Sequence, residues 1–193
     1  MNKKVISILG SVVAVGLLTT ACGSNNSSVS KKEDTKTSQA APKKEHKSEY
    51  YFDGTTANIR DLKIKITGVK FYKGTEESGK KLIVFEYDLT NKTNKEIDVN
   101  TGWQAVFTAY QDNKNTDGQL EVGAVPNNYE KLLNNQTQNI KKNGHLNFVV
   151  AYELRDDTTP VVLKATKGPL GREIGKKTYK IGKFEQQSDP SVN

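Results

Sequence analysis

The sequence predicts an all-β domain, folded as a two-sheet sandwich of about seven strands, within a chain of 193 residues. Two observations carry this prediction. Several short segments alternate between apolar and polar residues, which is the pattern of a strand with one buried face. Turn-forming pairs such as Lys73-Gly74 and Asn143-Gly144 separate these segments at short intervals, as in sandwich folds.

The alternation is clearest at Leu62, Ile64 and Ile66, which share one face while lysines and a threonine occupy the other. The same pattern recurs along the chain, so the predicted strands are 62–71, 81–91, 102–113, 119–125, 145–154, 160–166 and 177–184. Residues 127–135 are the one stretch that suggests a helical turn, and a short one.

The segment 102–113 is predicted to be a strand covered on both faces. Its apolar residues on one face are Trp103, Ala105, Phe107 and Ala109, and those on the other are Val106 and Tyr110. Because the domain has no cysteine, it lacks the inter-sheet disulfide of antibody domains. Packing around Trp103 is expected to replace that bond.

The first 21 residues have the layout of a secretory signal peptide. Lys3 and Lys4 form a basic start, residues 5–18 carry no charge, and small residues follow at 19–21. A membrane-spanning helix needs about 20 apolar residues, and this run ends earlier. The sequence therefore predicts export and the removal of residues 1–21.

The single cysteine, Cys22, follows Ala21 in the stretch LLTTAC. This stretch resembles the lipobox of bacterial lipoproteins, in which the cysteine thiol carries a diacylglycerol and becomes the new N-terminus. The resemblance implies cleavage between Ala21 and Cys22 and acylation, palmitate included, at Cys22. Thr19 stands where leucine is usual, so an ordinary secretory signal or an intermolecular disulfide stays open. Two acyl chains suffice for stable anchoring.

Residues 22–49 are predicted to form a lipidated, disordered tether. Ser, Lys, Asn and Thr dominate between Gly23 and Glu49, and Val29 is the only branched aliphatic residue there. Such a composition buries too little apolar surface to offset the conformational entropy of the chain. The folded domain is expected at 50–185, with a flexible tail at 186–193.

The formal net charge of +7 is not spread evenly along the chain. Several of the lysines fall in the signal peptide and the tether, and the basic residues of the domain are dispersed. Nucleic-acid binding is therefore not expected. A mildly basic surface is ordinary for a domain of this size.

Three candidate sites have simpler explanations as turns or surface positions. Residues 113–118, NKNTDG, match the first half of a calcium-binding loop, but Ala124 stands where that loop needs a glutamate. Adjacent Asp156 and Asp157 would point to opposite faces of a strand, so a turn is favoured. His145, the only histidine of the domain, has no motif partner and is expected on the surface.

Aromatic and glycine-rich stretches also favour structural roles. Tyr50, Tyr51 and Phe52 are expected to pack the edge of the sandwich, with a carbohydrate or peptide contact as the alternative. The basic stretch GPLGREIGKK, 168–177, opens no helix and does not support a phosphate site. Without a nucleophile elbow or metal-ligand spacing, no catalytic residue, metal or cofactor is predicted.

Four stretches carry a family resemblance: LIVFEYDLTNKTNKEIDV, FTAYQDN, NIKKNGHLNFVVAYEL and DDTTPVVLKAT. They resemble strands and turns of small immunoglobulin-like lipoproteins of Gram-positive bacteria, over about residues 54–184. That family carries a domain of unknown function, similar in fold to a secreted mycobacterial antigen with an immunoglobulin-like sandwich. The resemblance implies a fold and a surface location, and it brings no catalytic residue.

The predicted function is a non-catalytic binding or interaction module on the extracytoplasmic face of the cell membrane, with partial release left open. Its membrane attachment is the lipid anchor, and a surface protein or wall polymer is the expected kind of partner. Two alternatives stay open: a hydrolase or inhibitor acting on wall polymers or extracellular peptides, and a structural subunit of an envelope complex.

Overall fold

The computed structural model describes residues 48–74 and 79–188. The predicted signal peptide, Cys22 and nearly all of the predicted tether lie outside the described residues. The strands are β1 (Tyr51–Phe52), β2 (Thr56–Asn58), β3 (Leu62–Tyr72), β4 (Leu82–Asn91), β5 (Ile97–Asp98), β6 (Phe107–Tyr110), β7 (Val122–Gly123), β8 (Asn139–Ile140), β9 (His145–Glu153), β10 (Val161–Thr166), β11 (Glu173–Tyr179) and β12 (Phe184–Glu185). The helices are α1 (Val99–Gln104) and α2 (Glu130–Leu133), the latter preceded by a 3₁₀ turn, Asn127–Tyr129.

Two mainly antiparallel sheets face each other across one core, which confirms the predicted all-β, two-sheet sandwich. The larger sheet has the strand order β1-β2-β3-β4-β9-β7, and β12 joins β3 in parallel. The smaller sheet has the order β11-β10-β6, while β5 and β8 form a separate pair. The predicted strands correspond to β3, β4, β6, β7, β9, β10 and β11, and the remaining strands are only two or three residues long. The helical turn predicted at 127–135 is also confirmed.

The strand predicted at 102–113 is wrong in its first half. Val99–Gln104 form α1, and the extended backbone begins only at Phe107. Gly102 allows this helix to pack closely on β4, because a Cβ there would lie 2.3 Å from a methyl carbon of the buried Leu89. Val106 packs in the same core as Phe107 rather than on an opposite face, so the prediction of a two-faced strand fails as well.

The last predicted strand, 177–184, is displaced. Strand β11 begins at Glu173 and ends at Tyr179, and Phe184 belongs to the separate strand β12. Gly175 accounts for the weak alternation at the start of β11, because a Cβ there would lie 2.5 Å from the carbonyl oxygen of Phe52. The close approach of β1 to β11 therefore explains why glycine stands at position 175.

Trp103 lies at the centre of the core between the two sheets and is fully buried. Its ring centroid is 4.5 Å from that of Tyr87 on the larger sheet and 4.5 Å from that of Phe107 on the smaller sheet. The indole Nε1 donates a hydrogen bond of 2.8 Å to the hydroxyl of Tyr152. Burial raises the pKa of Tyr152 to about 12, so the acceptor is neutral at physiological pH. Trp103 thus contacts both sheets, as expected for a domain without an inter-sheet disulfide.

A second, smaller apolar cluster covers the outer face of the larger sheet. Its buried members are Tyr72, Leu82, Val84, Tyr129, Val149 and Ala151. Tyr129 enters from the 3₁₀ turn, and its hydroxyl donates to Glu86 Oε1 at 2.6 Å. Burial, followed by this bond to Glu86, raises the pKa of Tyr129. The segment before α2 is therefore fixed to the sheet by both apolar packing and a charge-assisted hydrogen bond.

Gly68 makes room for the Glu86 side chain. It sits at a register shift in β3, and a Cβ there would lie 2.5 Å from Glu86 Oε2. Lys70 completes the group with its Nζ atom 3.2 Å from Glu86 Oε1. The register shift in β3 thus lies where the sheet accommodates the carboxylate of Glu86.

The two ends of the described chain leave the sandwich at opposite ends. Tyr50 lies beside Ile59 and Leu62, where β3 begins, whereas Phe184 pairs with Phe71 near the end of β3. Every strand belongs to one compact unit, Lys44–Asn193, which therefore contains the whole core and is expected to fold by itself. Within the described part of the chain, no helix has the length and apolar character needed to cross a bilayer.

Replacing Tyr152 by phenylalanine tests the bond at the centre of the core. The Y152F variant leaves the indole N–H of Trp103 buried without its acceptor, so we expect the free energy of unfolding to fall by about 1–3 kcal/mol. Urea unfolding followed by the fluorescence of Trp103 measures this change. The half-buried Tyr110 supplies the control, because Y110F is expected to stay within about 0.5 kcal/mol. Equal losses in both variants would contradict the role given to the bond.

Candidate functional site

A cleft of about 590 Å³ opens at one end of the sandwich. Its lining comes from residues 59–62, 91, 93, 95–97 and 167–169, together with Tyr50, Thr101 and Ala105. Strand β3 begins and β4 ends here, since Leu62 pairs with Asn91. Because antiparallel strands bring their connections to common ends, loops distant in sequence meet at this place. Loops held by a rigid scaffold often carry binding residues.

Asn91 forms the floor of the cleft. Its side chain is fully buried, and its Nδ2 donates to the carbonyl oxygens of Lys95 at 2.6 Å and of Ile140 at 2.7 Å. Its Oδ1 accepts from the N–H and from the hydroxyl of Thr93, each at 2.9 Å. One amide group therefore closes the loop between β4 and β5 and ties it to β8.

Lys92 connects this loop to the turn between β2 and β3. Its backbone N–H donates to the carbonyl oxygen of Asp61 at 2.9 Å. Its ammonium group donates to the carbonyl oxygen of Ile59 at 2.6 Å and to Asn58 Oδ1 at 3.3 Å. These bonds fix the spacing between two of the loops that form the cleft.

The helical wall of the cleft is held by Asp98, the N-cap of α1. Its carboxylate accepts the N–H of Thr101 at 2.9 Å and the hydroxyl of the same residue at 2.6 Å. Burial opposes ionisation of Asp98, but these hydrogen bonds outweigh it and lower its pKa. On the core side, the hydroxyl of Tyr87 donates to the carbonyl oxygen of Val99 at 3.0 Å.

The rim of the cleft is charged. Arg60 and Asp61 form a salt bridge of 2.9 Å, and the hydrogen bond from Arg60 holds the pKa of Asp61 below its usual range. The ammonium group of Lys167 lies 3.5 Å from the centroid of the Tyr50 ring. This cation–π contact connects the hairpin after β10 to the beginning of the domain.

Two further charged residues, Lys95 and Glu96, are exposed on the loop between β4 and β5. The carboxylate of Glu96 accepts from Asn139 Nδ2 at 3.1 Å. Apolar side chains of Ile59, Leu62 and Ile97 lie inside the same opening. An apolar interior with a mixed polar rim suits binding of an amphipathic surface or ligand.

The sequence-predicted sites lie elsewhere. Ala21 and Cys22 are outside the described residues, so cleavage and lipid attachment there remain predictions. His145 is on the surface as predicted, at the start of β9. Its Nδ1 lies 2.6 Å from Asp88 Oδ2 on the neighbouring strand, a partner that the local sequence does not indicate.

The two adjacent aspartates act separately, as the turn interpretation predicts. Asp156 Oδ1 accepts the backbone N–H of Thr159 at 2.6 Å and that of Thr158 at 2.8 Å. These backbone bonds lower the pKa of Asp156 to about 2. Asp157 instead pairs with Lys81. The carboxylates therefore stabilise a turn and a surface contact.

The NKNTDG stretch is a turn. Asn113 Oδ1 accepts the N–H groups of Asn115 and Thr116, both at 2.9 Å. Gly118 has a positive φ of 62°, and a Cβ there would lie 1.9 Å from the carbonyl oxygen of Gln111. Among the described residues, no three His, Cys, Asp or Glu side chains are grouped so as to hold a metal ion.

The aromatic residues at the start of the domain divide between two roles. Phe52 is buried against Phe107 at a ring distance of 5.1 Å, which confirms the predicted packing. Tyr50 lines the cleft.

Sequence reasoning misses the cleft because most of its lining lies in turns and loops. One signal could have found its floor. The core face of β4 continues at every second residue from Ile83, and this period places polar Asn91 on the buried face.

The fold and the cleft define a β-sandwich module with a loop-lined opening at the end where the chain enters. Residues 28–167 match the family described as a domain of unknown function, DUF5067, and the chain belongs to that family. No curated protein matches the chain.

Two solved structures share the fold. A candidate lipoprotein from Staphylococcus aureus has 23% sequence identity and a TM-score of 0.61, with 69% of this chain and 93% of that chain covered. A protein from Enterococcus faecalis, solved by NMR, has 18% identity and a TM-score of 0.57, with 68% and 93% covered. At these sequence identities the similarity shows a shared fold.

Removing the amide of Asn91 tests the floor of the cleft. We expect N91A to lower the free energy of unfolding by about 2–3 kcal/mol, because buried hydrogen-bonding groups lose their partners. Hydrogen exchange should also show faster exchange within residues 91–97 than in wild type. Asn94 is exposed on the same loop, so N94A provides a matched control that should change stability by less than about 0.5 kcal/mol. Similar exchange in N91A and N94A would refute the assignment.

Proposed function

We propose that the protein is a lipid-anchored, non-catalytic module on the extracytoplasmic side of the cell membrane, and that it binds its partner in the loop-end cleft. The observation that carries this proposal is the hydrogen-bonded construction of the cleft around buried Asn91. A volume of about 590 Å³ falls within the range of ligand sites. A site that is held open before binding avoids the entropy cost of ordering its loops.

The anchor rests on the sequence LLTTAC, with Cys22 as the acylated residue and Ala21 as the residue before the cleavage. The S. aureus protein of similar fold is described as a candidate lipoprotein, which supports the same kind of attachment here. The resemblance to Gram-positive lipoproteins points in this direction as well. A surface protein or a wall polymer is the proposed kind of partner.

The polar groups of the cleft favour a binding role over a catalytic one, because several of them are bonded to other groups of the protein. The hydroxyl of Thr101 donates to Asp98, and the hydroxyl of Thr93 donates to Asn91. The carboxylate of Asp61 is paired with Arg60. These contacts hold the loops in place, whereas general acid–base chemistry needs groups that are directed at a substrate.

Substituting Cys22 tests the anchor. In cells that produce the full chain, C22A is expected to appear in the medium or to remain as an unprocessed precursor, because the acylated thiol is gone. Detergent-phase partitioning and the mass of the N-terminal peptide measure the outcome. A C22A protein that is processed and partitions into detergent like wild type would disprove the anchor.

A photo-crosslinking side chain placed inside the cleft tests its role in binding. Ala105 lines the cleft, whereas its neighbour Gln104 is exposed outside it. We expect p-benzoylphenylalanine at position 105 of the full chain to form a specific adduct on live cells, because this position lines the proposed site. The same group at position 104 is the matched control and should give at least tenfold less adduct. Equal yields, or no adduct at 105, would refute the site.

A further inference from the structure

The hairpin between β10 and β11 places a leucine in full contact with solvent. Leu170 is 108% exposed relative to an isolated reference residue. Among the described residues, Val122, at 55%, is the other large apolar side chain with high exposure. Single exposed apolar residues are ordinary, so the case for Leu170 depends on its backbone and its surroundings.

Leu170 occupies a backbone conformation that leucine normally avoids. Its φ is 58°, and it follows Pro169 in the four-residue turn 168–171, closed by a bond of 2.9 Å from the Gly171 N–H to the Gly168 carbonyl oxygen. After proline, a turn residue with positive φ is usually Gly or Asn. Folding stability alone would therefore favour Asn or Gly at this tip.

Cationic side chains flank the apolar tip. Lys167 and Arg172 face each other across the base of the hairpin, where their backbones share a hydrogen bond of 3.0 Å. Both are exposed, as is Glu173, the acidic residue of this hairpin. An apolar tip between cations is the composition that suits the boundary between anionic lipid headgroups and acyl chains.

The hairpin also lies at the end of the domain where the chain enters. Lys167 contacts Tyr50, two residues after Ser48, the first described residue. The covalent path from Cys22 therefore joins the sandwich beside this hairpin. A polar tether of that length, predicted from its composition, would span on the order of 30 Å. The proposed anchor would thus keep the tip close to the membrane surface.

We propose that the tip of the β10–β11 hairpin docks on the anionic membrane that carries the anchor, with Leu170 inserted into the interface and Lys167 and Arg172 on the headgroups. This inference rests on the proposed anchor for its location. Tethering makes the contact intramolecular, so a weak intrinsic affinity suffices. Docking places the rim of the cleft next to the membrane surface.

Vesicle binding of the compact unit 44–193, which contains neither the signal peptide nor Cys22, tests the docking directly. With phosphatidylcholine–phosphatidylglycerol vesicles, we expect sedimentation of wild type and a roughly tenfold weaker partition of L170N, as the loss of one buried leucine implies. The same substitution relieves the positive φ, so its thermal midpoint should stay equal or rise. Because vesicle partition should fall while the thermal midpoint does not, the two measurements separate membrane contact from a structural role of Leu170.

V122T serves as the matched control, since it removes the other exposed apolar side chain and should leave partition unchanged. K167E/R172E should weaken binding to the mixed vesicles, and vesicles of phosphatidylcholine alone should bind wild type poorly. Equal partition of wild type and L170N would overturn the proposal. Competition by inorganic phosphate together with an unchanged L170N would assign the cations to a free anion instead.

A second measurement follows the tip in the tethered protein. The chain 22–193 has one thiol, which can be coupled to a maleimide phospholipid in the mixed vesicles. In L170W, the new tryptophan should shift to shorter wavelength and be quenched by brominated lipid, while buried Trp103 in wild type should not. No quenching in L170W would refute the insertion. Because chemical coupling replaces acylation, this result is independent of the C22A experiment in cells.

Discussion

The contact of Trp103 with both sheets is the interaction on which the rest of the domain depends. Its ring lies between Tyr87 and Phe107, and its indole donates to Tyr152. A two-sheet sandwich without a disulfide must hold its layers together by non-covalent contacts, chiefly close packing. The short helix α1 delivers this side chain to the centre, and the same helix provides one wall of the cleft. The hydrophobic core and the cleft therefore share helix α1.

Sharing α1 links the order of the cleft to the stability of the core. Asp98 caps the N-terminus of the helix, and Trp103 packs it into the core. Ala105, which follows the helix, lines the cleft. The other walls depend on Asn91, which continues the core face of β4 into the loop. The cleft is thus constructed from the ends of core elements, and binding there is expected to involve little rearrangement of the backbone.

The sequence predicts the sheets well where one face of a strand is buried. Strands β3 and β4 follow from alternation alone, because their register is fixed by the core. The prediction from sequence fails at Trp103, because the apolar residues at 103, 106 and 107 fit a helix followed by a strand as well as they fit a single strand. The prediction also fails at β11, because Gly175, which lies against the backbone of Phe52, has no side chain to continue the alternation.

The cleft is harder to predict than the fold because it is assembled from separate loops. Asn91 and Ile140 are far apart in the chain, and the hydrogen bond between them depends on the pairing of β4 with β9. Local sequence indicates only turns at both places. The alternation along β4, followed from Ile83, places Asn91 on the buried face. It does not indicate that the side-chain amide of Asn91 organises a loop. Tertiary contacts supply that information.

The exit of the two chain ends at opposite ends of the sandwich has a mechanical consequence. A pull applied between the two ends of the described chain would act along the strand axes. The hydrogen bonds of β3 with β4, and of β4 with β9, run across that direction. Tension would shear many of them together instead of opening them one by one. The sandwich is thus oriented to resist a pull applied between its two chain ends.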